Sequence, residues 1–266
     1  VNSYVEPFCG SAAVLLNRPE SHRHRLEIVN DIDGLVANFW RALKLHPGKV
    51  AQAADYPISE LDFHARQNWL EQKRASITER FRANENWCDP RVAAWWVWGI
   101  SQSISNRFPQ KDSRGRSSVE SRGVHRLGSD QARGERLLEE FELLAGRLED
   151  VRVLSGNWSR LVTKAMTTRF GVTGVFLDPP YTKESGRNAN LYAKDDLQIG
   201  HDVKEWAVAN GDNPLLRIAL CGLEGEYDMP PNWSVFPWKS GGSKNGHLER
   251  IWFSPHCLPV SRAKAG

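Results

Sequence analysis

Near the start of the chain the apolar positions change period from one segment to the next. Ser3 to Phe8 (SYVEPF) is a short extended run. CGSAAVLLN follows, with the small residues Gly10, Ser11, Ala12 and Ala13 leading into an apolar helix start. Leu26 to Val29 (LEIV) is a second strand, ending at Asn30-Asp31. Leu35, Val36, Phe39, Trp40 and Leu43 then recur at helical spacing, and His46-Pro47-Gly48 stops that helix. This strand-helix alternation predicts a parallel α/β sheet.

The middle has a helical period. Ser59, with Asp62 three residues on, is an N-cap for a helix carrying Leu61, Phe63, Trp69 and Leu70. Asp89-Pro90 supplies an N-cap and first helical residue to VAAWWVWGISQSI. Trp95, Trp96 and Trp98 cover more than one face, which places that helix at the centre of a helical subdomain. NRFPQKDSRGRSSVESRGVHRLG has no apolar period and reads as a mobile basic loop. An amphipathic helix with Leu137, Leu138, Phe141, Leu144 and Leu148 closes the segment.

After Asp150 the strand-helix rhythm returns. The predicted strands are VRVL (151–154), GVFL (174–177), LRIAL (216–220), WSVFPW (233–238) and RIWF (250–253), with a helix near Asp202 to Asn210 and Gly211 as its C′ stop. The expected layout is an α/β core, 1–54 and 151–266, interrupted by a helical and basic insertion, 55–150. No internal repeat is found.

Composition changes this picture little. With 40% hydrophobic and 25% charged residues, the 266-residue chain is of ordinary globular make-up. No long uncharged apolar run marks a membrane span or secretory signal. Four scattered cysteines (Cys9, Cys88, Cys221, Cys257) form no CxxC pair, which argues against a zinc site or a disulfide framework and fits a reducing cytoplasm. With Val1 first, the expectation is a start inside a longer gene product. The net charge of +3 is small, but its distribution is uneven. Arg107, Lys111, Arg114, Arg116, Arg122 and Arg126 face only Asp112 and Glu120 in the same loop. Eleven tryptophans must supply core, with some left as stacking platforms.

The candidate chemistry gathers at predicted strand ends. Glu6-Pro7-Phe8-Cys9-Gly10-Ser11 runs from a strand through small residues into a helix, which lets a ligand approach the backbone. Asp31 ends the next strand about 20 positions past Gly10, where an acid holds ribose hydroxyls. Asp31 is equally placed to cap the following helix, and Asp33 competes for either role. In VFLDPPYTKE the two prolines end a strand and leave carbonyls free to accept. A carboxylate (Asp178) plus a neighbouring carbonyl accepts both hydrogens of an amino group, and Tyr181 offers a flat face for a ring. That suits a planar heterocycle with an exocyclic NH2, adenine or cytosine.

Four blocks in order resemble the DNA N6-adenine methyltransferases whose glycine motif precedes the DPPY motif: EPFCGSAAVLL, VNDID, VLSGNW and DPPY. ERIWFSP resembles the family's closing strand, and RIALCGLEGEYDMP resembles phage or prophage members. The resemblance implies a Rossmann-like, S-adenosylmethionine-dependent methyltransferase core with a helical insertion, and methyl transfer to N6 of a flipped adenine in double-stranded DNA. It implies a catalytic set of Asp178, Pro179, Pro180 and Tyr181. Glu6, Pro7, Phe8, Gly10, Asp31, Asn157 and Asp178 would hold S-adenosylmethionine, with Glu6 near its methionine portion and no metal. The insertion, 55–150, would be the target-recognition region, in which Arg107, Lys111, Arg114, Arg116, Arg122 and Arg126 would contact DNA phosphates or guanine edges. The chain departs from the pattern at Asn157, where the family usually has Asp, and it begins at Val1 without the GGK segment that precedes the family's first strand. A cytoplasmic monomer with no membrane partner is expected, in a bacterial or phage restriction-modification setting. The alternatives are a methyltransferase acting on cytosine N4 or an RNA base, and a DNA-binding fragment impaired in catalysis. A dehydrogenase-like nucleotide binder would explain Gly10 and Asp31 but leave Asp178 to Tyr181 idle.

Overall fold

In this computed structural model the apolar strands predicted from the sequence pair into a mixed, mostly parallel α/β sheet, compatible with a Rossmann-like fold. Residues 1–19, 21, 26–57, 59–103, 108–109, 130–180, 194–239 and 248–259 are described. They fall into two compact units, Val1–Asn30 with Trp158–Gly266, and Asp31–Asn157. The layout drawn from the sequence divides instead at 54/55 and 150/151, keeping the first long helix with the sheet.

The first unit holds six strands: β1 (Ser3–Glu6), β2 (Leu26–Asp31, whose last residue opens the second unit), β4 (Thr173–Leu177), β5 (Leu216–Leu223), β6 (Ser234–Pro237) and β7 (Glu249–Phe253). Their order is β2-β1-β4-β5-β7-β6. The pairings β1/β2, β1/β4 and β4/β5 are parallel, with Glu6 opposite Val29, Val5 opposite Val175 and Leu177 opposite Leu220. β7 runs antiparallel to both β5 and β6. The carboxyl ends of β1, β4 and β5 therefore share one edge, which is where parallel α/β sheets bind ligands.

Burial explains the strand assignments. Along β4 every second residue, Thr173, Val175 and Leu177, is buried. Val175 and Leu177 join Leu216, Ile218, Leu220, Tyr227, Trp233 and Trp252 in one cluster, with Val203 and Ala207 of α7 (Lys194–Asn210). At the opposite ends of β1 and β4 the buried hydroxyls of Ser3 and Thr173 hydrogen-bond at 2.6 Å. Helix α7 ends at Asn210 with Gly211 next, as the sequence suggests, but the glycine is not in the left-handed conformation. Gly211 is absent from the positive-φ residues, and a Cβ there would lie 2.7 Å from the Trp233 ring. The glycine makes room for a tryptophan rather than reversing the chain.

The second unit is built from α2 (Gly34–Leu45), α3 (Pro47–Ala54), α4 (Glu60–Ala83), α5 (Pro90–Gln102), α6 (Asp130–Leu148) and β3 (Val151–Ser155). His46-Pro47-Gly48 ends α2 as expected, but Pro47 also opens a new helix, α3, which the apolar pattern does not announce. Proline suits a first helical position because its missing N–H has no partner to lose. Ser59 caps α4 by accepting from the Asp62 N–H at 3.3 Å, and Asp89 caps α5 by accepting from the Arg91 and Val92 N–H groups. Asn38 ties α2 to the start of α5, donating to the Asp89 carbonyl at 2.9 Å and accepting from its N–H at 2.8 Å. The central place predicted for the tryptophan-rich helix holds: α5 packs against α2, α3 and α4, and Trp98 joins Leu35, Phe63, Leu70, Ile77 and Val92 in the core. Arg41 and Lys44 of α2 donate to the Val153 and Val151 carbonyls of β3, each at 2.9 Å.

No helix among the described residues is long and apolar enough to cross a membrane.

Candidate functional site

At the carboxyl end of β1 the chain buries an acid. The Glu6 side chain is almost fully enclosed, with 2% of the residue exposed. Strand alternation sets Tyr4 and Glu6 on one face, and the Tyr4 hydroxyl donates to Glu6 Oε2 at 2.8 Å. The Leu15 N–H of the short helix α1 (Ala13–Leu16) donates to the same carboxylate. Burial pushes the Glu6 carboxyl up to about 7; the Tyr4 and Leu15 donors oppose that rise, the charge of Asp178 adds to it, and Arg18 lowers it slightly. Arg18 stands 4.0 Å over the Tyr4 ring, and its Nε pairs with the buried Glu27 at 2.7 Å. The Tyr4 hydroxyl is itself pushed well above its ordinary range by burial and by the Glu6 charge, so it remains a donor.

The loop after Glu6 is clamped to the end of β2. Cys9 donates its N–H to the Asn30 carbonyl at 2.9 Å, and the Asn30 amide donates to the Pro7 carbonyl at 2.9 Å. Pro7 is buried, and the half-buried Phe8 ring lies 6.1 Å from the Trp158 ring. Gly10 is exposed and has φ +44°, and a Cβ built on it would meet nothing within 4 Å. Glycine is needed there for the backbone angle, and the space above it is open.

On the neighbouring strand, β4 ends at Leu177, and Asp178-Pro179-Pro180 continue in irregular backbone. Asp178 and Pro180 are exposed, and Pro179 is buried between them. Asp178 contributes to the raised pKa of three groups in this unit: Glu6, Cys221 of β5 and Tyr227. For Cys221 and Tyr227 burial is the larger cause, and both stay protonated. The first unit thus brings together Glu6, Pro7, Phe8 and Gly10 after β1 with Asp178, Pro179 and Pro180 after β4.

In the second unit the competition between the two aspartates is resolved. Asp33 caps α2, its Oδ1 accepting from the Leu35 N–H at 2.9 Å, while its Oδ2 pairs with Arg74 at 3.0 Å. Asp31 Oδ1 accepts from the Asp33 N–H at 2.9 Å, and the Asp31 carbonyl accepts from the Gly156 N–H at 3.3 Å. Capping therefore belongs to Asp33. The Gly156 bond brings the exposed Asn157 into the chain neighbourhood of Asp31.

Tyr181 lies outside the described residues, as do Arg107, Lys111, Arg114, Arg116, Arg122 and Arg126. The four cysteines form no disulfide, and no cluster of His, Cys, Asp or Glu among the described residues could hold a metal ion. Three residues of the site received no role from the sequence, although Asn30 lies in VNDID and Tyr227 in RIALCGLEGEYDMP. Tyr4 was accessible through its period-two relation to Glu6. Asn30, one position before the candidate ribose acid, has no pattern that announces its clamp, and Tyr227 has none either. No family model matches the chain, and no curated protein does.

Proposed function

We propose that the chain is a DNA methyltransferase that moves a methyl group from S-adenosylmethionine to N6 of an adenine flipped out of the duplex. The observation that carries the reading is the placement of two loops at the carboxyl ends of adjacent parallel strands: Glu6 to Gly10 after β1, and Asp178-Pro179-Pro180 after β4. The left-handed Gly10, with open space where a side chain would stand, fits close approach of a cofactor to the backbone. S-adenosylmethionine supplies the electrophilic methyl group.

The remaining work falls to the protein. An aromatic amine is a poor nucleophile because its lone pair is delocalised into the ring. Asp178 and the Pro179 carbonyl accept the two N6 hydrogens, favour a pyramidal nitrogen and stabilise the positive charge that develops on it. Tyr181, outside the described residues, is assigned stacking on the base by the resemblance. Pro179 and Pro180 stiffen the loop, so the acceptors need not reorganise during reaction. Glu6 faces the methionine portion of the cofactor, with Tyr4 and Leu15 fixing its carboxylate. Asp31 takes the ribose role that the resemblance implies.

The test is methylation of DNA by the purified protein with S-adenosylmethionine, followed by digestion to nucleosides. N6-methyladenine that disappears in Asp178→Ala is the expected product. N4-methylcytosine without N6-methyladenine would overturn the choice of base, and absence of any methylated nucleoside despite bound cofactor would overturn the activity.

A further inference from the structure

The second unit carries a groove of about 930 Å³ between α3, α4 and α5 that the catalytic reading does not use. Its lining combines Lys49, Arg66 and Arg91 with the rings of Tyr56, Trp69 and Trp95. The cations are interleaved with the rings. Arg66 lies 4.1 Å over Tyr56, 4.3 Å over Trp98 and 5.0 Å over Trp95. Arg91 lies 4.5 Å over Trp95 and 5.7 Å over Trp69. Arg66 is buried, 5% exposed, and its Nη1 has no hydrogen-bond partner. Among the described residues none of the three cations forms an ion pair within 4 Å.

Two acids also line the groove. The Asp89 carboxylate is occupied by the N-terminal N–H groups of α5, and Asp62 offsets part of the Arg66 charge. A positive balance remains, held over ring faces rather than against carboxylates. A guanidinium stacked on an aromatic ring keeps its in-plane N–H groups aimed outward, pre-ordered for a phosphate. Exposed Lys49 and Arg91 supply charge at the rim, and the rings supply flat apolar wall. Cations set along an apolar wall match the edge of a duplex, where charged phosphates alternate with sugars.

We propose that this groove receives the phosphodiester backbone of DNA, with Lys49 and Arg91 on the phosphates, in addition to any contact made by the basic stretch of residues 107–126, which lies outside the described residues. It rests on the reading of DNA as the substrate.

The test compares wild type with Lys49→Gln/Arg91→Gln in anisotropy titrations of a labelled duplex over a range of salt concentrations. Calorimetry with S-adenosylmethionine runs in parallel. Both side chains are exposed, so folding is retained. The slope of log affinity against log salt should become shallower by about two, one for each phosphate that is no longer neutralised. Cofactor affinity should not change, and the exposed pair Lys164→Gln/Arg169→Gln should keep the wild-type slope. A wild-type slope in Lys49→Gln/Arg91→Gln, or an equal loss in the control pair, overturns the groove while leaving the DNA reading standing. A wild-type protein with no salt-dependent DNA binding overturns both.

Discussion

The Tyr4 hydroxyl donates a 2.8 Å hydrogen bond to a Glu6 carboxylate that is almost wholly removed from water. Burial favours the neutral acid, and the bond favours the ion, because a hydroxyl stabilises the charged acceptor more than the neutral one. Burial is the larger effect, and the Glu6 carboxyl titrates at about 7 rather than in the ordinary carboxylate range. Its state therefore changes within the range where enzymes are assayed.

That shift fixes a dependence of stability on pH. The folded protein holds the Glu6 proton more tightly than the unfolded chain does. The stabilising contribution is full below about 4.5 and is lost as pH rises toward 7. A displacement of this size corresponds to at most about 3 kcal/mol. Denaturant unfolding of wild type and Glu6→Gln at pH 5, 6, 7 and 8 should show wild type losing stability relative to the variant as pH rises. Parallel curves would contradict the placement of Glu6. In Tyr4→Phe the loss should move to higher pH, since a donor that favours the ion has been removed.

Asp178 enters the same titration from the neighbouring strand, its charge adding to the rise at Glu6. Asp178→Asn should thus lower the Glu6 midpoint, as followed by the carboxyl carbon chemical shift of Glu6. An unmoved midpoint would show that the two charges do not sense one another.

For catalysis the larger effect should come from the same position. Asp178→Ala should lower turnover by at least ~10², the scale on which a transition-state partner contributes. The residue is exposed, so thermal stability should change little. Methyl incorporation into DNA, measured beside cofactor calorimetry, checks both halves: turnover lost, cofactor retained. Near-normal turnover would remove Asp178 from the mechanism.

Much of this arrangement was legible in the sequence, for local reasons. Short extended or apolar runs marked β1 and β4, the caps Ser59 and Asp89 announced the starts of α4 and α5, and two prolines had to stop β4. Motif order put Glu6 and Asp178 at strand ends. What escaped depended on neighbours distant in sequence. Pro47 looked like a stop because proline cannot continue a helix, yet the same property lets it begin one. Whether Asp31 or Asp33 caps α2 depended on one hydrogen bond and on Arg74, which lies far along α4. The protonation of Glu6 depends on enclosure, and composition carries no record of enclosure.

Gly211 illustrates the same gap and gives a direct test. It stops the helix as expected, and the structure adds a second role, clearance for Trp233. An added Cβ would stand 2.7 Å from the indole, and Trp233 belongs to the buried cluster beneath β5. Gly211→Ala should therefore destabilise by about 1–3 kcal/mol through overpacking. Gly211→Ala with Trp233→Phe, which removes the crowded part of the ring, should cost less than the sum of the two single changes. Additivity in denaturant unfolding would point back to a purely backbone role.

Asp31 and Asp33 should separate cleanly, because one is committed to the fold. Asp33 satisfies the Leu35 N–H at the start of α2 and also holds Arg74, so Asp33→Ala should cost about 1–2 kcal/mol. Asp31 Oδ1 accepts from the Asp33 N–H within a turn, a bond that water can replace at small cost. Asp31→Ala should leave stability within about 1 kcal/mol of wild type and weaken S-adenosylmethionine binding about tenfold or more, the range for losing a hydrogen bond to a charged partner. Unfolding curves and cofactor calorimetry on the two variants decide the matter. If Asp31→Ala binds cofactor normally while Asp33→Ala, still folded, does not, the ribose role passes to Asp33 and the cap must be shared.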